Sequence, residues 1–180
     1  MVVIAVSGSP GSGKTTFSKA ISEMFGLDYW SSGEAFKRIA EKLGMDLIEF
    51  HDYAEKHLEV DKEVDAMAVE RAKMGNVVID GHLSGWVLKD IADLKIYFHA
   101  PLEVRAKRVA KRDNVPYEVA LKNVVKREES NKKRFMEAYG IDISDISIFD
   151  LVINTEKWSR EEIMEILKKA IEPIVRRRGR

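Results

Sequence analysis

The sequence predicts an α/β fold, a five-stranded parallel sheet covered by helices on both faces. Three observations predict it. Short β-branched apolar runs alternate with longer stretches of helical periodicity. Those runs are continuously apolar, as strands buried on both faces must be. A glycine-rich turn separates the first run from the first helix.

Val2-Val-Ile-Ala-Val6 opens the sheet. After the glycine turn, Phe17, Ala20, Ile21 and Met24 keep helical spacing, and Gly26 supplies the stop. Asp28-Tyr-Trp-Ser31 reads as a second strand. A long helical stretch from about Glu34 to Met74 follows, broken near Gly44 and around Val60. Asn76–Asp80 and Lys95–His99 are the third and fourth strands. A helix from Leu102 to about Asp113 and another opened by Pro116 come next, the latter carrying the dense charged segment Lys126–Arg134. Asp150–Asn154 is the fifth strand. The last helix has a capping box, Ser159 with Glu162, and Trp158 and Ile163 at hydrophobic-staple positions. Ile163, Leu167, Ile171 and Ile174 form its core stripe. The alternation is interrupted by two helical insertions, after strands two and four. No repeat, linker or second domain is visible, so residues 1–180 read as a single domain.

Composition narrows the function classes. The chain has 180 residues, 45% apolar and 33% charged, which is a globular balance. Lys+Arg and Asp+Glu stand at 30 each, so no global field favours nucleic acid, which is not an expected partner. The basic end, Arg176-Arg-Arg-Gly-Arg180, reads as a solvated helix terminus. Cysteine is absent, excluding disulfides and thiolate metal sites. No apolar run approaches the roughly 18 residues of a membrane span, so a cytoplasmic, membrane-free monomer is expected.

Gly8-Ser9-Pro10-Gly11-Ser12-Gly13-Lys14-Thr15-Thr16 fits the phosphate-loop pattern, with the required strand before and helix after. Its glycines let successive backbone N–H groups face a phosphate, and the helix adds its positive end. Lys14 is placed for the β- and γ-oxygens, and the Thr15 hydroxyl for Mg²⁺. ATP with Mg²⁺ is the expected donor. Asp80, ending the third strand at the same sheet edge, is a candidate to hold Mg²⁺ through water; the alternative is a turn aspartate before Gly81. A GTPase would need Asn-Lys-x-Asp after a strand, and Asn154-Thr-Glu-Lys157 lacks that order.

The P-loop, Ser31-Ser-Gly-Glu-Ala-Phe-Lys37, Asp80-Gly-His-Leu-Ser-Gly-Trp86, and Lys126–Arg134 before Tyr139-Gly-Ile-Asp142 resemble the archaeal type of cytidylate kinase, within the P-loop nucleoside monophosphate kinases. The resemblance runs over nearly the whole chain. It implies a core sheet with an acceptor-binding insertion at about 34–74 and a lid at about 114–140, and transfer from ATP to CMP or dCMP. It further implies that Arg127 and Arg134 bridge donor and acceptor phosphates alongside Lys14. Arg127, Asn131 and Arg134 do lie on one helical face, where guanidinium forks suit a transferring phosphoryl group. Ser32, Gly33, Lys37, Gly81 and His82 are the candidate acceptor-phosphate residues.

Two of these positions depart from the family, which usually has arginine where this chain has Lys37 and His82. Two readings of His82 stay open. It donates to the acceptor phosphate, making monophosphate KM rise between pH 6 and 8, or it is a satisfied loop residue with Arg105 or Arg71 serving instead. Asp61 and Asp65, one helical turn apart, are candidates for the exocyclic amine of cytosine, with an exposed, cap-like Asp61 as the alternative. His51, His57 and His99 read as structural. Other expected possibilities are a related kinase for UMP, AMP or a non-nucleotide acceptor, or a nucleotide-dependent switch ATPase.

Overall fold

A computed structural model describes residues 1–178; Gly179 and Arg180, the end of the basic terminus, lie outside the described residues. The chain runs β1 (Val3–Gly8), α1 (Lys14–Phe25), β2 (Asp28–Ser31), α2 (Ser32–Lys42), α3 (Leu47–Ala54), α4 (Glu59–Lys73) and β3 (Val77–Asp80). It continues α5 (Ser84–Val87), β4 (Leu94–His99), α6 (Leu102–Asp113), α7 (Tyr117–Tyr139), β5 (Leu151–Asn154) and α8 (Arg160–Arg178). The five strands form one parallel sheet in the order β2-β3-β1-β4-β5, as the alternating runs predict.

The central strands bury both faces, which is why their sequences are continuously apolar. On one face Ile4, Val6, Val78, Ile96 and Phe98 pack against Phe17 and Ile21 of α1 and Ile163, Leu167 and Ile171 of α8. On the other, Val3, Ala5, Val77 and Ile79 meet Ala68 and Ala72 of α4 and Leu88 after α5. The capping box of α8 forms as its sequence predicts, with Glu162 N donating to Ser159 Oγ at 3.2 Å and Ser159 N to Glu162 Oε2 at 2.7 Å.

Both insertions are present. Helices α2–α4 lie between β2 and β3 and close around Phe36, Phe50, Val60 and Val64. Helices α6 and α7 form a hairpin through Asn114, whose left-handed conformation (φ 52°) makes the turn. The break near Gly44 is where the sequence puts it, since Gly44 is left-handed (φ 68°). The second break falls at residues 55–58, leaving Val60 buried within α4. Asn76 does not join β3: it turns left-handed (φ 49°) and its Oδ1 accepts from Val2 N at 3.0 Å. The short helix α5 is not expected from periodicity. Gly85 allows it, because a Cβ there would overlap the ring of Phe149. None of the helices among the described residues is long and apolar enough to cross a membrane.

Candidate active site

Parallel strands deliver their C-terminal ends to one edge, and the loops there carry the polar residues. β1 ends at Gly8 and the chain wraps back into α1 at Lys14. Gly11 (φ 78°) and Gly13 (φ 94°) take left-handed conformations that open this wrap. At Gly11 a Cβ would also stand 2.7 Å from the Arg105 carbonyl oxygen, so α6 packs directly on the loop. Burial pushes the Lys14 ammonium pKa down; Asp80 opposes this and Arg127 adds to it. An anion on the loop would relieve that unfavourable burial.

β3 runs parallel to β1 with Val6 opposite Asp80, which sets Asp80 beside the start of α1. Asp80 is 1% exposed. Its Oδ2 accepts from Thr15 Oγ1 at 2.7 Å and Tyr29 Oη at 2.9 Å, while Oδ1 is buried without a partner. A threonine hydroxyl and an orphaned carboxylate oxygen side by side fit a hard cation that takes its remaining ligands from water and phosphate. No group of three His, Cys, Asp or Glu able to hold a metal exists among the described residues.

Two cavities meet at Lys14 and Thr15. One, of about 580 Å³, runs along α1 and α6 and is lined by Gly13, Thr16, Phe17, Arg108, Thr155 and Trp158 among others. Trp158, 49% exposed, stands at its wall as well as at the start of α8. The other, of about 450 Å³, lies between Asp80, His82, α2, α3 and α7, with Gly33, Lys37, His51 and Arg127 in its lining. It continues into a pocket of about 110 Å³ walled by Ser32, Phe36, Asp61, Asp65 and Arg134. Arg112 borders both large cavities and is held by its neighbour Asp113 at 2.6 and 2.9 Å.

Arg127 faces the second cavity and the inner pocket, and its Nε is buried with no partner. Arg134 departs from the expected phosphate bridge. It is 2% exposed, and every N–H of its guanidinium is used. Nε and Nη2 donate to Asp61 at 2.7 and 3.3 Å, Nη1 to Ser130 Oγ at 2.7 Å and His51 Nδ1 at 3.0 Å, and Nη2 to Asn131 Oδ1 at 3.0 Å. Asp61 is consumed by the same pair, so the carboxylate left for a ligand is Asp65. Tyr139 Oη donates to its Oδ2 at 2.6 Å, and burial lifts its pKa to about 6.

His51, read as structural from the sequence, lines both the second cavity and the inner pocket. As the acceptor of the Arg134 bond it carries its proton on Nε2, and burial, followed by Arg134, pushes its pKa down to about 3. His57 stacks on Tyr53 at 3.8 Å, away from the site. Of the two readings of His82, its hydrogen bonding favours a satisfied residue. Its Nδ1 donates to the Gly8 carbonyl at 2.9 Å, and burial, then Lys14 and Arg127, hold its pKa well below the usual range. Burial among these cations thus favours the neutral form of His82. Neither Arg105 nor Arg71 is in the lining of the second cavity or the inner pocket: Arg105 holds Pro10 O and Ala100 O, and Arg71 pairs with Asp28 and Gly75 O.

Of the remaining candidates, Ser9 and Pro10 face Trp86, Tyr97 and Glu128 on the far side of the loop. Gly81 leaves no room for a Cβ against Ser32 and Ser84. Lys37 is at the rim, 65% exposed and 3.9 Å from Glu41. Sequence reasoning misses Arg108, whose Nη1 donates to Thr155 Oγ1 at 2.7 Å and whose Nη2 donates to Thr155 O at 2.9 Å, tying α6 to the end of β5. The signal was present, since Arg108 and Arg112 are four apart on one face.

The cytidylate kinase-like family matches residues 3–157. The cytidylate kinase of Pyrobaculum aerophilum is 52% identical over 92% of this chain and 90% of its own. That of Pyrococcus horikoshii is also 52% identical, covering 95% of this chain and 88% of its own. Among solved structures, shikimate kinase from Bacteroides thetaiotaomicron shares the fold at TM-score 0.61 and 15% identity, over 96% of this chain and 98% of that one. A P-loop with two cavities meeting at its lysine agrees with both kinds of likeness, and with identity at this level over nearly the full length the chain belongs to the cytidylate kinase-like family.

Proposed function

We propose that the chain transfers the γ-phosphoryl group of Mg·ATP to the 5′-phosphate of CMP or dCMP. The observation that carries this reading is the meeting of two nucleotide-sized cavities at Lys14 and Thr15, with Arg127, whose Nε has no partner among the described residues, in the wall of the second. Such an arrangement suits two phosphates lying end to end, as in-line displacement requires. The donor base occupies the cavity beside Arg108 and Trp158, and its phosphates lie on the P-loop. Bound Mg²⁺, held by Thr15 and through water by Asp80, would supply charge neutralisation on the donor phosphates.

The chain's own residues do the rest. The acceptor phosphate is already an adequate nucleophile, so no covalent intermediate is needed. Lys14 and Arg127 neutralise the charge spread over the equatorial oxygens. Asp65 accepts the exocyclic amine of cytosine through the oxygen that Tyr139 leaves free, whereas uracil offers a carbonyl there and is repelled. The α6–α7 hairpin acts as a lid that excludes water and limits hydrolysis. Both sites come from one chain, which supports a monomer, and a cytoplasmic one where ATP and CMP are supplied.

A coupled assay of ADP release with CMP, dCMP, UMP, AMP and GMP tests the reading. Rapid turnover with CMP is expected; equal turnover without any acceptor would contradict it.

A further inference from the structure

The segment of α7 between the two cavities carries consecutive residues with different duties. Arg127 points into the cleft, and Glu128, about 100° round the helix, points to the opposite side of the P-loop. Its Oε1 accepts from Ser9 Oγ at 3.3 Å and its Oε2 from Arg105 Nη2 at 3.0 Å. Arg105 is 7% exposed and anchors from below, donating to Pro10 O at 3.3 Å and Ala100 O at 2.9 Å. Glu128 is thus the joint between the crest of the loop and α7.

Elsewhere α7 is tied to the acceptor insertion. Lys126 pairs with Asp52 at 2.9 Å, Lys133 with Glu55 at 3.1 Å, Arg134 with Asp61 at 2.7 Å, and Tyr139 bonds Asp65 at 2.6 Å. The helix is a strut with one foot on the donor loop and a line of contacts along the acceptor insertion. We propose that Glu128 is a positioning residue that fixes the rotation of α7 on the P-loop, sets Arg127 opposite Lys14, and so makes donor and acceptor binding mutually reinforcing. This rests on the kinase reading above. A ligand on the P-loop and a ligand in the insertion favour the same placement of α7, and such coupling is reciprocal. Misplacing Arg127 by about 1 Å is enough to lower the rate by about two orders of magnitude.

The test is calorimetric binding of CMP to the whole protein, with and without Mg²⁺ and the non-hydrolysable β,γ-methylene analogue of ATP, together with steady-state kinetics. In the wild type the analogue is expected to tighten CMP by about five-fold or more. In Glu128→Ala that ratio falls to about one and kcat drops, while the CMP Kd of the analogue-free protein stays within about two-fold. Glu128→Gln, which keeps an acceptor for Ser9, recovers part of the ratio. Ser9→Ala, which leaves the Arg105 pair intact, lowers the ratio without moving the melting temperature, and carries the test if Glu128→Ala does not fold. A Glu128→Ala protein that melts lower but keeps the wild-type ratio and kcat would overturn the proposal, leaving Glu128 as a counter-charge for Arg105. A wild type that binds CMP equally with and without the analogue would overturn it too. A wild type that binds no CMP in either state would instead sink the acceptor assignment, and this proposal with it.

Discussion

Removing the Asp61 carboxylate leaves a guanidinium buried among groups that cannot neutralise it. In Asp61→Ala, Arg134 keeps its bonds to Ser130, Asn131 and His51 but loses the carboxylate paired directly with it, at a site 2% exposed. Breaking such a buried pair costs about 3–5 kcal/mol. For a chain of this size about 2–4 °C per kcal/mol is expected, so the melting temperature falls by about 6–20 °C. Urea unfolding followed by tryptophan fluorescence reads the free energy directly. The double variant Asp61→Leu/Arg134→Met replaces both charges by apolar groups of similar size and is expected to recover most of the stability. A loss below about 1 kcal/mol in Asp61→Ala, the magnitude of an exposed ion pair, would refute the claim that this pair holds α4 to α7.

Two neighbouring groups titrate with opposite signs. His51 is held neutral down to about pH 3 in the folded protein, so its contribution is present above its unfolded pKa of about 6.5 and is lost as pH falls towards 3. Asp65, raised to about 6, contributes below its unfolded pKa of about 3.9 and loses that contribution as pH rises through 6. Between about pH 4 and 6 the two largely cancel, so relative to wild type His51→Gln gains stability towards low pH and Asp65→Asn loses it, as pH-dependent urea unfolding will show. Arg127→Ala should lower kcat about 10²–10³-fold, with Arg127→Lys restoring only part, because lysine lacks the bidentate fork. Trp158→Ala should raise the ATP KM several-fold and leave the CMP KM unchanged, and Mg·ATP should perturb Trp158 emission in a protein whose other tryptophans are replaced by phenylalanine.

The strands and the P-loop were legible because their signals are local: β-branched runs, glycine spacing and the capping box of α8 all depend on residues a few positions apart. The acceptor site was not. Asp61 and Arg134 are 73 positions apart, and nothing in the sequence says that one carboxylate is spent on a structural pair while its neighbour Asp65 keeps an oxygen free. Helical spacing correctly put Arg127 and Arg134 on one face of α7. It could not show that about 10 Å of rise separates a residue over the cleft from one sealed against α4. The hydrogen bonding of His82 was equally hidden, since the Gly8 carbonyl that accepts from its Nδ1 lies 74 positions away.

The most direct test of the central claim follows the product itself. ³¹P NMR of Mg·ATP mixed with CMP and the protein should show ADP and CDP appearing in equal amounts, with no inorganic phosphate at early times, and ATP unchanged when CMP is left out. ATP consumed to ADP and free phosphate at the same rate without CMP would contradict it.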